Sequence, residues 1–202
     1  RLSWNEKERN VDVFDVKRDV GQTLIEAGYN SDKFFIDDET PNYYHPGKSG
    51  RLFLNRGKDQ IAAYFGEIHP KVLAALDVKG PVVAFAIHTK NIPVPKSKSA
   101  TRPALDISDL QAVERDFAFV VDQSVEAITL VNAAKGADKV LIDDVRVFDE
   151  FSGGSLAAGL KSLAVTVRLQ PKDATLKDAD IEAVAEKIVE KVTKATGGSL
   201  RG

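Results

Sequence analysis

Apolar side chains recur at Ile181, Val184, Ala185, Ile188, Val189 and Val192, spacings of three and one that lay a single stripe along a helix. Thr175-x-x-Asp178 has the outline of a capping box in front of that helix, and Gly197-Gly198 ends it. Residues 163–169 alternate instead. Leu163, Val165, Val167 and Leu169 fall on one face of a strand and Ser162, Ala164, Thr166 and Arg168 on the other. The first set faces the helices, so the second faces solvent or a ligand. Residues 117–121 and 140–148 read as two further strands. Between them Ser124 caps a predicted helix to about Lys135, offering Val125, Ile128, Leu130 and Val131 to a core. Ser199-Leu200-Arg201 reads as a short edge strand. The order β-α-β-β-α-β predicts a ferredoxin-like domain, two helices on one face of a four-stranded antiparallel sheet.

The first half follows a different pattern. Val11-Asp12-Val13-Phe14 alternates like a short strand, and residues 17–27 read as a helix whose apolar face is Val20, Leu24, Ile25 and Ala27, stopped by Gly28. Strands are predicted at 34–36, 52–54, 61–65 and 82–87, with a bend at Tyr43-Tyr44-His45-Pro46-Gly47. Pro70 opens a short helix to Leu76. Between Asn91 and Pro103 the chain is rich in proline, lysine and serine and reads as a linker. The expected architecture is α+β: a first domain over 1–92, a linker over 93–105 and the ferredoxin-like domain over 106–202.

Composition narrows the chemistry. The 202 residues contain no cysteine, which removes disulfides, thiolate nucleophiles and cysteine-ligated metals. They contain no methionine either, and a chain opening at Arg1 without one reads as a piece of a longer polypeptide. No apolar run reaches the ~20 residues of a membrane helix and no signal peptide opens the chain, so a cytoplasmic location is expected. The net charge is −2, and the second half is the more acidic. Bulk electrostatics of that kind do not hold nucleic acid, so any contact with it is local and DNA is not an expected partner.

The richest stretch for recognition is residues 149–162, Asp-Glu-Phe-Ser-Gly-Gly-Ser-Leu-Ala-Ala-Gly-Leu-Lys-Ser. It is predicted to be a loop joining two strands, and it carries acids, an aromatic ring, glycines and hydroxyls. It suits recognition better than catalysis. Gly154-x-x-x-x-Gly159-Leu160-Lys161-Ser162 misses the phosphate-binding P-loop pattern by one residue and leads into a strand, where that chemistry needs a helix N-terminus. His45, His69 and His88 are widely spaced and read as satisfied or surface residues. Asp37-Asp38-Glu39 lacks the alternating ligands and glycine of a calcium loop. No nucleophile, base and oxyanion donor assemble from these residues, so no catalytic residue and no metal ligand is expected.

Several motifs occur together and in order: Val11-Asp12-Val13-Phe14-Asp15-Val16-Lys17, Tyr44-His45-Pro46-Gly47, Gly66-Glu67-Ile68-His69-Pro70, Glu114-Arg115-Asp116-Phe117, Val147-Phe148-Asp149, Gly159-Leu160-Lys161-Ser162 and Leu200-Arg201. Together they resemble the C-terminal part of the bacterial phenylalanyl-tRNA synthetase beta subunit. The resemblance implies that residues 1–92 are the tail of an inactive class II synthetase-like antiparallel domain. Residues 106–202 would then form a ferredoxin-fold anticodon-binding domain. It further implies an (αβ)₂ heterotetramer whose alpha subunit joins phenylalanine to tRNA(Phe) with ATP and magnesium, while this piece binds no cofactor. By the family's pattern Asp149 accepts from the first anticodon base, Ser162 adds a hydroxyl contact and Phe151, often tyrosine in the family, stacks. Lys161 and Arg168 are candidate phosphate contacts. The rival expectation is a purely structural subunit scaffold, which would cover the open sheet face that RNA needs exposed.

Overall fold

The computed structural model describes residues 8–29, 34–55, 57, 60–92, 94, 104, 107–154 and 156–201. The chain divides into two compact units, Arg1–Arg102 and Pro103–Gly202. The linker expected over 93–105 lies, apart from residues 94 and 104, outside the described residues.

In the first unit, helix α1 spans Val13–Glu26. The expected strand at residues 11–14 is therefore the start of this helix. Asp12 decides it: its carboxylate accepts from the backbone N–H of Phe14 and Asp15, while the Asp15 carboxylate accepts from Asp12 N–H. Arg9 grips Asp15 with two bonds of 2.7 Å and holds its carboxyl well below the usual range. Val16, Val20 and Leu24 form the buried face, whereas Ile25 and Ala27, expected to share it, are exposed. α1 packs across strands β3, Ile61–Ile68, and β4, Val83–Ile87. With β1, Phe35–Asp37, and β2, Tyr44–Phe53, these make an antiparallel sheet in the order β1-β2-β3-β4. Leu52, Ala62, Ala63 and Phe65 meet α1 in the core.

The Pro46-Gly47 pair, expected to make a bend between strands, is an insertion inside β2. Tyr44 pairs with Ile68 and Ser49 with Gly66, so four residues of β2 stand against Glu67 alone. Lys48 Nζ reaches Glu67 at 3.1 Å across that bulge. Gly66, at φ +156°, is what lets the strands close there, since a Cβ on it would sit 2.3 Å from Ser49 Cβ. Gly66→Ala is expected to cost about 1–3 kcal/mol through overpacking. Gly47→Ala, which meets nothing within 4 Å, should leave β3 better protected than Gly66→Ala does when amide hydrogen exchange is compared. Helix α2, Pro70–Ala75, begins at the expected proline, with His69 Nδ1 accepting from Lys71 N–H.

The second unit runs β5, Val113–Asp122; α3, Ala127–Lys135; β6, Ile142–Ser152; β7, Leu160–Leu169; α4, Asp178–Thr196; β8, Ser199–Leu200. The strands are antiparallel in the order β6-β7-β5-β8. This is the expected ferredoxin-like βαββαβ arrangement, α+β in class. Phe119, Leu163, Val165 and Val167 of the sheet share one core with Leu130 of α3 and with Ile181, Val184, Ile188 and Val192 of α4. Two expected caps are displaced. Ser124 does not cap α3; its N–H and Oγ–H both donate to Asp122 Oδ1, in a turn that holds the Asp122 carboxyl below its usual range. Thr175 does not cap α4, where Lys177 is the N-cap and its N–H donates to Asp180. Ile128, assigned to the core, is 55% exposed, and the buried residues of α3 are Leu130 and Ala134. Gly197, at φ +68°, ends α4 as expected.

Candidate nucleic-acid interface

The sheet of the second unit has its helices on one face. On the other, register places residues in rungs across three strands. Asp144, Arg168 and Glu114 make one; Arg146, Thr166 and Asp116 the next; Asp149, Ala164 and Ala118 a third; Phe151, Ser162 and Val120 a fourth. The polar side chains of the first two rungs have partners within the unit. Thr166 Oγ1 donates to Asp116 at 2.6 Å, and Arg146 meets both Glu114, at 3.3 Å, and Asp144, at 3.4 Å.

The third and fourth rungs differ in chemistry. Asp149 is exposed and has no hydrogen-bond or ion-pair partner among the described residues. Phe151 is 43% exposed beside it. Ser162, directly opposite Phe151, is only 5% exposed, yet its hydroxyl makes no hydrogen bond among the described residues. Ala118 and Ala164 leave a shallow apolar floor between strands. An exposed, unpaired carboxylate, a ring and an unpaired hydroxyl thus stand on adjacent rungs of the open face.

A β-bulge creates this convergence. Val147 pairs with Val165 and Asp149 with Ala164, so Phe148 is an extra residue in β6. Strict alternation from Val147, which shares the helix side with Val165, would send Asp149 and Phe151 to that side too. The extra residue flips the parity and puts both on the open face. The predicted loop is consequently shorter than residues 149–162: β6 continues through Ser152 and β7 resumes at Leu160.

Of the five expected contact residues, Asp149, Phe151 and Ser162 are brought together. Arg168 shares their face but lies six residues along β7 from Ser162, roughly 20 Å, and pairs with Asp143 at 3.6 Å. Lys161 does not join them. It points to the helix side, opposite Val121, is 9% exposed and lies 3.7 Å from Glu150. Arg201, part of the Leu200-Arg201 motif but not among the expected contact residues, donates its backbone N–H to Ala118 O at 2.7 Å, and its position continues the rung of Asp149, Ala164 and Ala118. The alternation of Ser199-Leu200-Arg201 was the available signal for it.

The other motifs resolve into structure. Arg51 is clamped by Asp37, at 2.6 Å and 3.2 Å, and also meets Glu39, so two of the three acids of the 37–39 cluster serve an ion pair. The His45 and His69 rings lie 6.3 Å apart. His69 Nδ1 is used in capping α2, where it accepts from Lys71 N–H. Gly159 leads into β7, not a helix. Among the described residues no group of three or more histidines and acids is placed to hold a metal, and no helix is long and apolar enough to cross a membrane.

Comparison with known proteins accounts for both units. The family described as ferredoxin-fold anticodon binding domain matches residues 108–201. The family described as phenylalanyl tRNA synthetase beta chain CLM domain matches residues 1–89. The chain is 60% identical over 198 residues to the phenylalanine–tRNA ligase beta subunit of Cereibacter sphaeroides, covering 96% of this chain and 24% of that protein. It is 58% identical over 194 residues to that of Ruegeria pomeroyi, covering 96% and 24%, and 51% identical over 200 residues to that of Paramagnetospirillum magneticum, covering 98% and 25%. The chain therefore spans about a quarter of the length of the curated relatives it matches. With both units matched in order and an anticodon-binding fold whose open face gathers Asp149, Phe151 and Ser162, the chain belongs to the phenylalanine–tRNA ligase beta subunit family.

Proposed function

We propose that the open sheet face reads the first anticodon base of tRNA(Phe), a guanine, through Asp149, Phe151 and Ser162. The observation that carries this is the placement of an unpaired carboxylate, a half-exposed ring and the unpaired hydroxyl of the nearly buried Ser162 on adjacent rungs. Single-stranded bases are recognised by stacking and by hydrogen bonds along the Watson–Crick edge. Guanine offers two N–H donors on that edge, and a carboxylate, which only accepts, matches them. Adenine sets an acceptor nitrogen against the same carboxylate and is repelled. Phe151 supplies the stacking surface and Ser162 a hydroxyl that can donate or accept. Arg201 is placed to meet a phosphate on the rung of Asp149.

The role proposed for the chain is therefore recognition inside a larger ligase, cytoplasmic and assembled as (αβ)₂, in which the alpha subunit performs aminoacylation. ATP and magnesium belong to that reaction. The residues described in the first unit do not fit them: Arg51 is occupied by Asp37 and Glu39, and no acids converge on a cation. The first unit is read as structural, holding subunits together. An anticodon stem-loop added to the isotope-labelled chain should shift the amides of Asp149, Phe151, Ser162, Ala164 and Ala118 and leave those around Arg168 and Asp143 still. A footprint at the Arg168 end, or none on this face, would favour the scaffold reading instead.

A further inference from the structure

Gly153 and Gly154 lie in the turn between β6 and β7, both with left-handed backbone, φ +93° and +61°. They differ in what stands over them. A Cβ on Gly153 would meet nothing within 4 Å, whereas one on Gly154 would lie 3.0 Å from Cζ and 3.4 Å from Cε1 of Phe151. The far edge of the Phe151 ring therefore stands over the side of Gly154 from which a side chain would project. A half-exposed aromatic near the end of an edge strand would otherwise sample several rotamers and lose that freedom on binding, at a cost to affinity.

We propose that Gly154 is a positioning residue, whose missing side chain makes the turn a rest for the Phe151 ring and fixes the ring face towards an incoming base. This rests on the reading of the open face as a base-stacking surface and deepens it. The ring acts on RNA; Gly154 acts through the ring. Its position also explains a division of labour within the Gly-Gly pair, one glycine serving only the turn and the other serving the turn and the ring.

The neighbouring glycine supplies the control. In the 202-residue chain, Gly154→Ala and Gly154→Val are compared with Gly153→Ala and Gly153→Val, which place the same side chains on left-handed backbone with no ring to displace. The first readout needs no RNA. The Gly154 α-protons should carry a ring-current shift that vanishes in Phe151→Leu; an ordinary shift in the unaltered chain overturns the proposal. The second is titration with anticodon stem-loops. Gly154→Val should weaken guanine-bearing and altered loops alike, by at least about fivefold, the lower end of what stacking a base on an aromatic contributes, with Gly154→Ala intermediate and the Gly153 variants near the unaltered chain. In a Phe151→Ala background Gly154→Val should add no further loss. Equal losses in the two glycine series, or a full loss from Gly154→Val without the ring, overturn the positioning role. Unchanged binding by Phe151→Ala alone, or no binding by the unaltered chain, overturns the stacking surface and the inference with it.

Discussion

Asp149→Ala is expected to lower the preference for guanine over other first anticodon bases by about ten- to a hundredfold. A hydrogen bond to a charged group contributes roughly 1.5–3 kcal/mol, and each 1.4 kcal/mol is about tenfold. The side chain has no partner within the described chain, so its removal breaks no internal contact and the loss falls on recognition. Asp149→Asn is the sharper probe. An amide offers one donor and one acceptor, which suits adenine better than guanine, so the preference should shift towards adenine while folding is unchanged. Measuring dissociation constants for stem-loops carrying each base against both variants checks it. Arg168→Ala should scale all of them alike or leave them alone, because Arg168 is remote along β7 and already paired with Asp143. Lys161→Ala should act on stability instead, since the side chain is buried on the helix side.

The largest effect on stability is expected at Phe119. It is 0% exposed within β5, paired across to Leu163 on one side and Leu200 on the other. It belongs to the cluster that joins the sheet to α3 and α4. Truncation of a buried phenylalanine costs about 3–5 kcal/mol, transfer and cavity together, a large part of the ~5–15 kcal/mol that holds a domain. Phe119→Ala should therefore destabilise the second unit while exchange at β3 amides of the first, whose core is a separate cluster, keeps its protection. Urea unfolding followed by amide exchange separates the two. Because the α-carbon positions around Asp149 depend on the β6-β7-β5 register, stem-loop binding should fail at denaturant concentrations that unfold this unit alone.

What could be read from the chain depended on periodicity. The α4 stripe and the β7 alternation are long enough to fix both period and facing, and they carried the ferredoxin-like order. The alternation of β7 also contained a correction to one expected contact: if Ser162 faces outward, Lys161 faces inward, and its charge alone had suggested an exposed role. Short patterns misled. Val11-Asp12-Val13-Phe14 alternates like a strand, but Asp12 and Asp15 bond reciprocally and start a helix. Ser124 resembles a helix cap, but Asp122 captures it two residues earlier. The bulge at Phe148 has no periodic signature, since an extra residue is defined by the partner strand. That residue puts Asp149 on the open face, so the residue types of the proposed site were legible in the sequence and their placement was not. The rest of Phe151 on Gly154 is likewise a tertiary contact that adjacent glycines in sequence do not distinguish.

The most direct test is to titrate the chain, at low and moderate salt, with an anticodon stem-loop of tRNA(Phe) and with one whose first anticodon base is changed from guanine. The guanine form should bind more tightly at both salt concentrations, with overall affinity modest because the second half is acidic and few phosphates are neutralised. Equal binding of the two, or binding of neither, would contradict anticodon reading by the face built from Asp149, Phe151 and Ser162.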